Sequence, residues 1–170
     1  MTTLDHSRTV EIEAPIGHVW ATLADLSQVS EWIPGVKTSK VTSSQTDGLH
    51  STRVCTLSPM GTISEEVSVW EPNKRLVIDI VDFKAMPGMR ASTVEFDLAA
   101  VSDTRTTVTF SMGYTVGLGA VGAAMDKMML KSQMTSGLEG MAAGLKKHIE
   151  TGETINPKSK IPVDAVSVSS

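Results

Sequence analysis

The sequence predicts an α+β domain in which one antiparallel β-sheet curves around a single long C-terminal helix, with two short helices after the first strand. Three observations predict it. From Gly48 to Thr115 apolar residues recur mostly at alternate positions between turn-forming clusters, which is the period of half-buried strands. After Tyr114 the spacing changes to that of a helix. The 170 residues, 41% of them apolar, suffice for one sizeable core and leave no room for a second domain.

The first strand is read from His6 to Ala14, where Arg8, Val10, Ile12 and Ala14 fall on one side and Ser7, Thr9, Glu11 and Glu13 on the other. Pro15 has the fixed φ that suits a first helical position, and Ile16, Val19, Trp20 and Leu23 follow at i, i+3, i+4 and i+7. Asp25 with Gln28 can cap a second short helical piece, which Trp32-Ile33-Pro34-Gly35 ends. Strands resume at about Val36. Turns are expected at Ser58-Pro59-Met60-Gly61, Glu71-Pro72-Asn73-Lys74, Met86-Pro87-Gly88 and Ser102-Asp103-Thr104.

Turn centres set the register, because residues directly opposite in an antiparallel pair share a face. A turn centred on Pro72-Asn73 sets Val69 opposite Leu76 and Val67 opposite Ile78. One centred on Pro59-Met60 sets Val54 opposite Glu65 and Thr52 opposite Val67. One around Asp103 pairs Leu98 with Val108, Phe96 with Phe110 and Val94 with Met112. The expected inner face is then Thr52, Val54, Ile63, Glu65, Val67, Val69, Leu76, Ile78, Ile80, Val94, Phe96, Val108, Phe110, Met112 and Tyr114.

The C-terminal helix is expected from about Gly119 to Glu150. Val121, Met125, Met128 and Met129 form one apolar stripe, and Met134, Leu138, Met141, Leu145 and Ile149 another. At ~100° per residue the two stripes are offset by roughly half a turn, so a bend or break is predicted near Lys131 to Ser136. The domain is read as residues 1–151. Residues 152–170 are rich in Ser, Pro and Lys without sustained period, and are expected to form a disordered tail.

Composition excludes several classes. A formal net charge of −4 and a pI near 5.5, with scattered basic residues, argue against a nucleic-acid partner. Cys55 is the single cysteine, so an internal disulfide and a multi-thiolate zinc site are both excluded, and a reducing cytoplasm is the expected compartment. No charged-then-apolar leader opens the chain, and no run reaches the roughly 18 apolar residues of a membrane span. His6, His18, His50 and His148 are dispersed, and no phosphate-cradling loop follows a strand. Gly117, Gly119 and Gly122 spell a G-x-G-x-x-G string, but no further strand completes a βαβ unit, and small residues that let the helix approach the sheet account for it better. No cofactor and no metal are expected.

Several blocks carry a resemblance. Val10-Glu11-Ile12-Glu13-Ala14-Pro15 with His18-Val19-Trp20 and Leu23-Ala24-Asp25 resembles the opening of the START-like, helix-grip superfamily often called SRPBCC, within it the polyketide cyclase/dehydrase branch. Glu31 to Val36 resembles that family's next block, Gly61 to Leu76 its central hairpin, and Thr106 to Phe110 its final strand. The resemblance covers about residues 6 to 150. It implies a seven-stranded antiparallel sheet gripping a long helix, with an apolar cavity between them for lipids, polyketides or similar small molecules. These blocks are core and turn positions, so they specify the fold and say little about a reaction.

Among residues that could carry chemistry, Glu65 stands out, because the expected register puts a carboxylate on an apolar face, where desolvation raises a pKa and suits a general acid or an anchor for a ligand hydroxyl. A strand bulge or an open rim is the structural alternative. Tyr114, Arg90 and His50 lie near strand ends, where each could supply a polar contact at a cavity mouth or simply meet solvent. Trp32 could cap the entrance, whereas Trp20 belongs to a core stripe. The methionines of the helix, Met125 and Met129 among them, could conform to a ligand or fill core. The expected ligand-contacting set is Trp32, His50, Thr52, Glu65, Val67, Ile78, Arg90, Phe96, Phe110, Tyr114, Met125 and Met129. The leading reading is a binder of a hydrophobic small molecule, with a possible homodimer left open. The alternatives are a polyketide cyclase or dehydrase using Glu65 and Tyr114, and an interaction or assembly protein similar to the carbon monoxide dehydrogenase group or the chaperone-ATPase activators of the same superfamily.

Overall fold

In the computed structural model, which describes residues 6–84, 89–117 and 127–168, the alternation that begins at His6 becomes strand β1 (His6–Ile12). Helix α1 (Ile16–Ala24) starts after Pro15 and buries Val19, Trp20 and Leu23, the face its 3–4 spacing predicts. A single 3₁₀ turn at Val29–Glu31 follows. Strands β2 (Val36–Val41), β3 (Thr52–Leu57), β4 (Gly61–Glu71), β5 (Arg75–Asp82), β6 (Met89–Ser102) and β7 (Arg105–Val116) then run as successive antiparallel hairpins, and α2 (Lys127–Thr151) returns across the sheet. A last short strand, β8, spans Val166–Val168.

The sheet order is β2-β3-β4-β5-β6-β7-β1-β8. β1 pairs with β7 in one continuous register from His6 opposite Met112 to Ile12 opposite Thr106. The sheet therefore has eight strands where seven were expected. The extra one comes from the segment expected to be a disordered tail, in which Ile155 is buried and donates its N–H to the Glu31 carbonyl at 2.7 Å. Val166 and Val168 stand opposite Val10 and Arg8. Ser, Pro and Lys dominate the composition of this tail, and a few well-spaced apolar residues inside it are enough to dock it.

The register agrees with the turn reading where the turns have the expected length. Phe96 faces Phe110, Leu98 faces Val108, Val94 faces Met112 and Val67 faces Ile78. A register shift between Val67 and Val69 sets Leu76 opposite Trp70 rather than Val69. The β3–β4 turn holds three residues, Ser58 to Met60, because Leu57 faces Gly61. Arg53 thus faces Glu65 and Thr52 faces Glu66, one residue away from the expected pairing, and a slip of one moves every side chain of a strand to the other face. Arg53 and Cys55 point inward where Thr52 and Val54 were expected.

Helix α2 is unbroken from Lys127 to Thr151, without the expected bend. Leu130, Met134, Leu138, Ala142, Leu145 and Ile149 make one stripe against the sheet, so a straight helix seats it, and the competing stripe is turned out, with Met128 74% and Met129 54% exposed. The helix beginning expected at Gly119, its residues Val121, Gly122 and Met125, and the turn at 86–88 lie outside the described residues. Among the described residues no helix is long and apolar enough to cross a membrane.

The core is continuous between sheet and helix. Trp32 packs edge-on against Phe96 with ring centroids 6.3 Å apart, and Phe96 edge-on against Phe110 at 5.3 Å. Trp20 meets Trp70 in the same manner at 5.1 Å. The helix comes closest at Gly144, where a Cβ would overlap the Trp32 backbone oxygen. Two neighbouring glycines should therefore respond oppositely. Gly144→Ala is expected to lose ~1–3 kcal/mol by forcing α2 off the sheet, and Gly137→Ala, with open space around its Cβ, to gain ~0.5–1 kcal/mol from helix propensity. Urea denaturation of the two variants checks both signs.

Candidate functional site

One row of cross-strand partners crosses the concave face from β2 to β7: Val41, Arg53, Glu65, Ile80, Ser92 and Tyr114, each opposite the next. Four of the six are polar. At about 4.8 Å per strand, β3 to β7 spans about 19 Å along the sheet. The next row, Val67, Ile78, Val94 and Met112, ends on His6 of β1 and is otherwise apolar.

The β3–β4 end of the polar row is a buried ion pair. Arg53 Nε donates to Glu65 Oε2 at 2.6 Å, with the two side chains 6% and 9% exposed. The Cys55 thiol donates to the same oxygen at 3.2 Å, and its sulfur lies 3.6 Å from Ser39 Oγ. Burial pushes the Cys55 thiol up to about 12, with the Glu65 charge adding to it and Arg53 opposing. For Arg53, burial works against the charge, but Glu65 and Cys55 outweigh it and the guanidinium is held above its ordinary value. Arg53 Nη1 is buried with no hydrogen-bond partner among the described residues. A guanidinium fixed through Nε and bearing a second, unspent donor is ready to receive an oxygen.

At the β7 end, Tyr114 stacks on His6 with ring centroids 5.8 Å apart and planes 9° from parallel. Arg8, two residues along β1, donates Nε to Glu139 Oε1 of α2 at 2.9 Å, which ties the helix to this side of the sheet. Ser92, between the two ends, is buried. On the β2 side a groove of about 670 Å³ opens beneath α1, lined by Trp20, Ala21, Ala24, Ser39, Val41 and Trp70 and by the polar Asp25, Lys40 and Asp47. Ser39 and Val41 are the cross-strand neighbours of Cys55 and Arg53. The groove therefore reaches the strand adjoining the ion pair.

The residues singled out in the sequence divide into three groups. Glu65, Tyr114, Val67, Ile78, Phe96 and Phe110 share the concave face, the last four as buried core. Four others lie elsewhere. Trp32 is in the core against Phe96 rather than over an entrance, since Ile33 and Pro34 carry the chain past it and α2 closes on its backbone. His50 adopts a left-handed φ of 65° and bonds Glu66 at the surface, Nδ1 to Oε1 at 2.8 Å. Thr52 faces Glu66 on the outer side because of the three-residue turn. Met129 is exposed because Leu130 takes the inward position on the helix. Arg90 is exposed, with its guanidinium against Gly117, and Met125 lies outside the described residues. Sequence reasoning missed Arg53, Cys55, Ser92 and His6. His6 was legible from parity with Arg8 and Val10, whereas Arg53 and Cys55 were hidden by one residue of turn length.

A family described as polyketide cyclase / dehydrase and lipid transport matches residues 3–150 of the chain. No curated protein matches it in sequence. Solved structures match in shape. A START superfamily protein from Mycobacterium smegmatis superposes with a TM-score of 0.70 at 18% identity, over 85% of this chain and 95% of its own. The Zhui aromatase/cyclase from Streptomyces sp. R1128 gives 0.68 at 14%, over 88% and 98%. A norcoclaurine synthase point mutant from Thalictrum flavum, in complex with a transition state analogue, gives 0.67 at 13%, over 89% and 98%. At these identities the likeness is one of fold.

The raised Cys55 thiol gives a direct check. Because the thiolate is the reactive form, native protein near neutral pH should fail to react with a disulfide reagent on the time scale of an exposed thiol, and should titrate one thiol per chain on unfolding. Rapid labelling of the native protein would refute the buried arrangement.

Proposed function

The chain belongs to the polyketide cyclase / dehydrase and lipid transport family, and on that premise we propose that it binds an apolar small molecule carrying an acceptor oxygen, with the body of the ligand against the concave face and the oxygen on Arg53. The observation that carries this reading is the unpartnered Nη1 of a buried guanidinium. A hydrocarbon surface needs no such group, and a buried donor left without an acceptor costs about 1–3 kcal/mol, more for a charged one. A ligand oxygen removes that cost on binding, while burial of ligand surface at ~25 cal/mol per Å² supplies most of the affinity. Ketones and quinones of polyketide type fit this pairing, and so does a lipid ester. A reducing, cytoplasmic setting suits the free Cys55.

A turnover reading has one observation in its favour. Tyr114 and His6 stack as two proton-bearing groups on the face that also carries Arg53. In a cyclase, an oxygen held by Arg53 would be polarised while Tyr114 or His6 exchanged a proton with the substrate chain. Glu65 is the weaker catalytic candidate, since its Oε2 already accepts from Arg53 and Cys55 and its role is to fix the guanidinium.

The test is a matched pair of ligands, anthraquinone against anthracene, after native mass spectrometry of the purified chain for any retained molecule. The chain is expected to bind the quinone more tightly. Replacing only Arg53 would strand the Glu65 charge and cost ~3–5 kcal/mol of stability, so the informative variant is Arg53→Met with Glu65→Leu. It should keep the hydrocarbon affinity and lose the quinone preference by about 10- to 100-fold, the worth of a hydrogen bond to a charged group. Absence of binding by either ligand would sink the reading, and an unchanged quinone preference in the double variant would remove Arg53 from it.

A further inference from the structure

The two sides of the sheet are finished differently. At one side β2 (VKTSKV) exposes Lys37 and Lys40 and shifts register against β3 between Val36 and Thr38. Lysines and bulges are the devices by which sheets keep an open edge from pairing with another chain. The other side has neither. β1 contains no lysine and no proline, and it keeps a single register against β7 over all seven residues. Its charges are already spent within the domain, Arg8 on Glu139 and Glu11 on Arg105, at 2.9 and 2.8 Å. Nothing in β1 itself discourages a partner strand.

Three residues cover it. Val166, Ser167 and Val168 pair with Val10, Thr9 and Arg8. They sit at the end of a tail that is anchored at the buried Ile155 and mostly exposed from Asn156 to Ala165. So short a strand holds its place chiefly because it is tethered, which gives it an effective concentration in the millimolar range.

We propose that the outer edge of β1 is a self-association surface whose partner is β1 of a second copy, and that residues 166–168 are the cap that keeps it closed. Antiparallel pairing about Thr9 sets Arg8 opposite Val10 and Ser7 opposite Glu11 of the other copy, so no like charges meet. It would replace three paired residues by seven, and it joins two sheets through an edge that carries no blocking feature of its own. This inference does not depend on what the concave face binds.

The test compares the full chain, a chain ending at Pro157 that keeps Ile155, and the full-length double variant Val166→Pro/Val168→Pro, in which prolines prevent strand pairing without removing the tail. Light scattering after size exclusion, from micromolar to submillimolar protein, should give one protomer for the full chain. Both altered chains should move towards twice that mass as concentration rises, with the amides of His6–Ile12 newly protected from hydrogen exchange. Thr9→Lys added to either should return it to one protomer, because two ammonium groups would then face each other across the axis. The proposal is overturned if the altered chains, folded by circular dichroism, stay at one protomer throughout. It is equally overturned if they dimerise while the β1 amides exchange as before, or if the full chain dimerises to the same extent.

Discussion

The arrangement of the concave face depends on one interaction, the buried ion pair between Arg53 and Glu65. Two charges taken out of water cost several kcal/mol each, and their attraction offsets that only when geometry is good and the remaining hydrogen-bonding capacity is used. Here the Nε–Oε2 bond is short and Cys55 adds a second donor to the same oxygen, yet Nη1 is left over. As a stabilising device the pair is poorly finished. Two aliphatic side chains of similar volume would serve the core as well or better.

That incompleteness has a definite position in the fold. Along β4 and β5 the rows that follow Glu65 are apolar, Val67 with Ile78 and then Trp70 with Leu76, and they are filled by the Trp32–Phe96–Phe110 stack and by Leu138, Ala142 and Leu145 of α2. The concave face is thus divided. One part is solid and fixes the helix through Gly144 against Trp32, and the other carries the polar row from Arg53 to Tyr114. An oily interior filled side chain to side chain, as it is around Phe96 and Phe110, has no room for a guest. The polar row is where donors and acceptors outnumber their protein partners.

How much of this the sequence disclosed follows from the range of the interactions that decide it. Strand periods, the α1 stripe and the Asp103 hairpin are local, and His6–Ile12, Ile16–Ala24 and the Phe96–Phe110 pairing were all legible. The site failed at one point, the length of the Pro59 turn. A three-residue connection there moves Arg53 and Cys55 inward and Thr52 outward, and period-2 alternation cannot reveal it, because both faces of TRVCTL are of mixed polarity. The α2 register failed for a similar reason. Two apolar stripes competed on one helix, and only the sheet decides which is buried. In the tail, composition concealed Ile155, Val166 and Val168, whose docking depends on partners more than a hundred residues away in sequence.

The same logic separates what Glu65 was expected to do from what it does. A lone carboxyl on an apolar face is a candidate acid. Beside Arg53 it becomes the acceptor that fixes a guanidinium, and the chemically available group moves one strand over, to Nη1. Because Glu65 holds Nε, the guanidinium plane is set and its free donor cannot swing to water without breaking the short bond. The ligand specificity of such a face is then set less by its area of oil than by the one direction in which Arg53 can still donate.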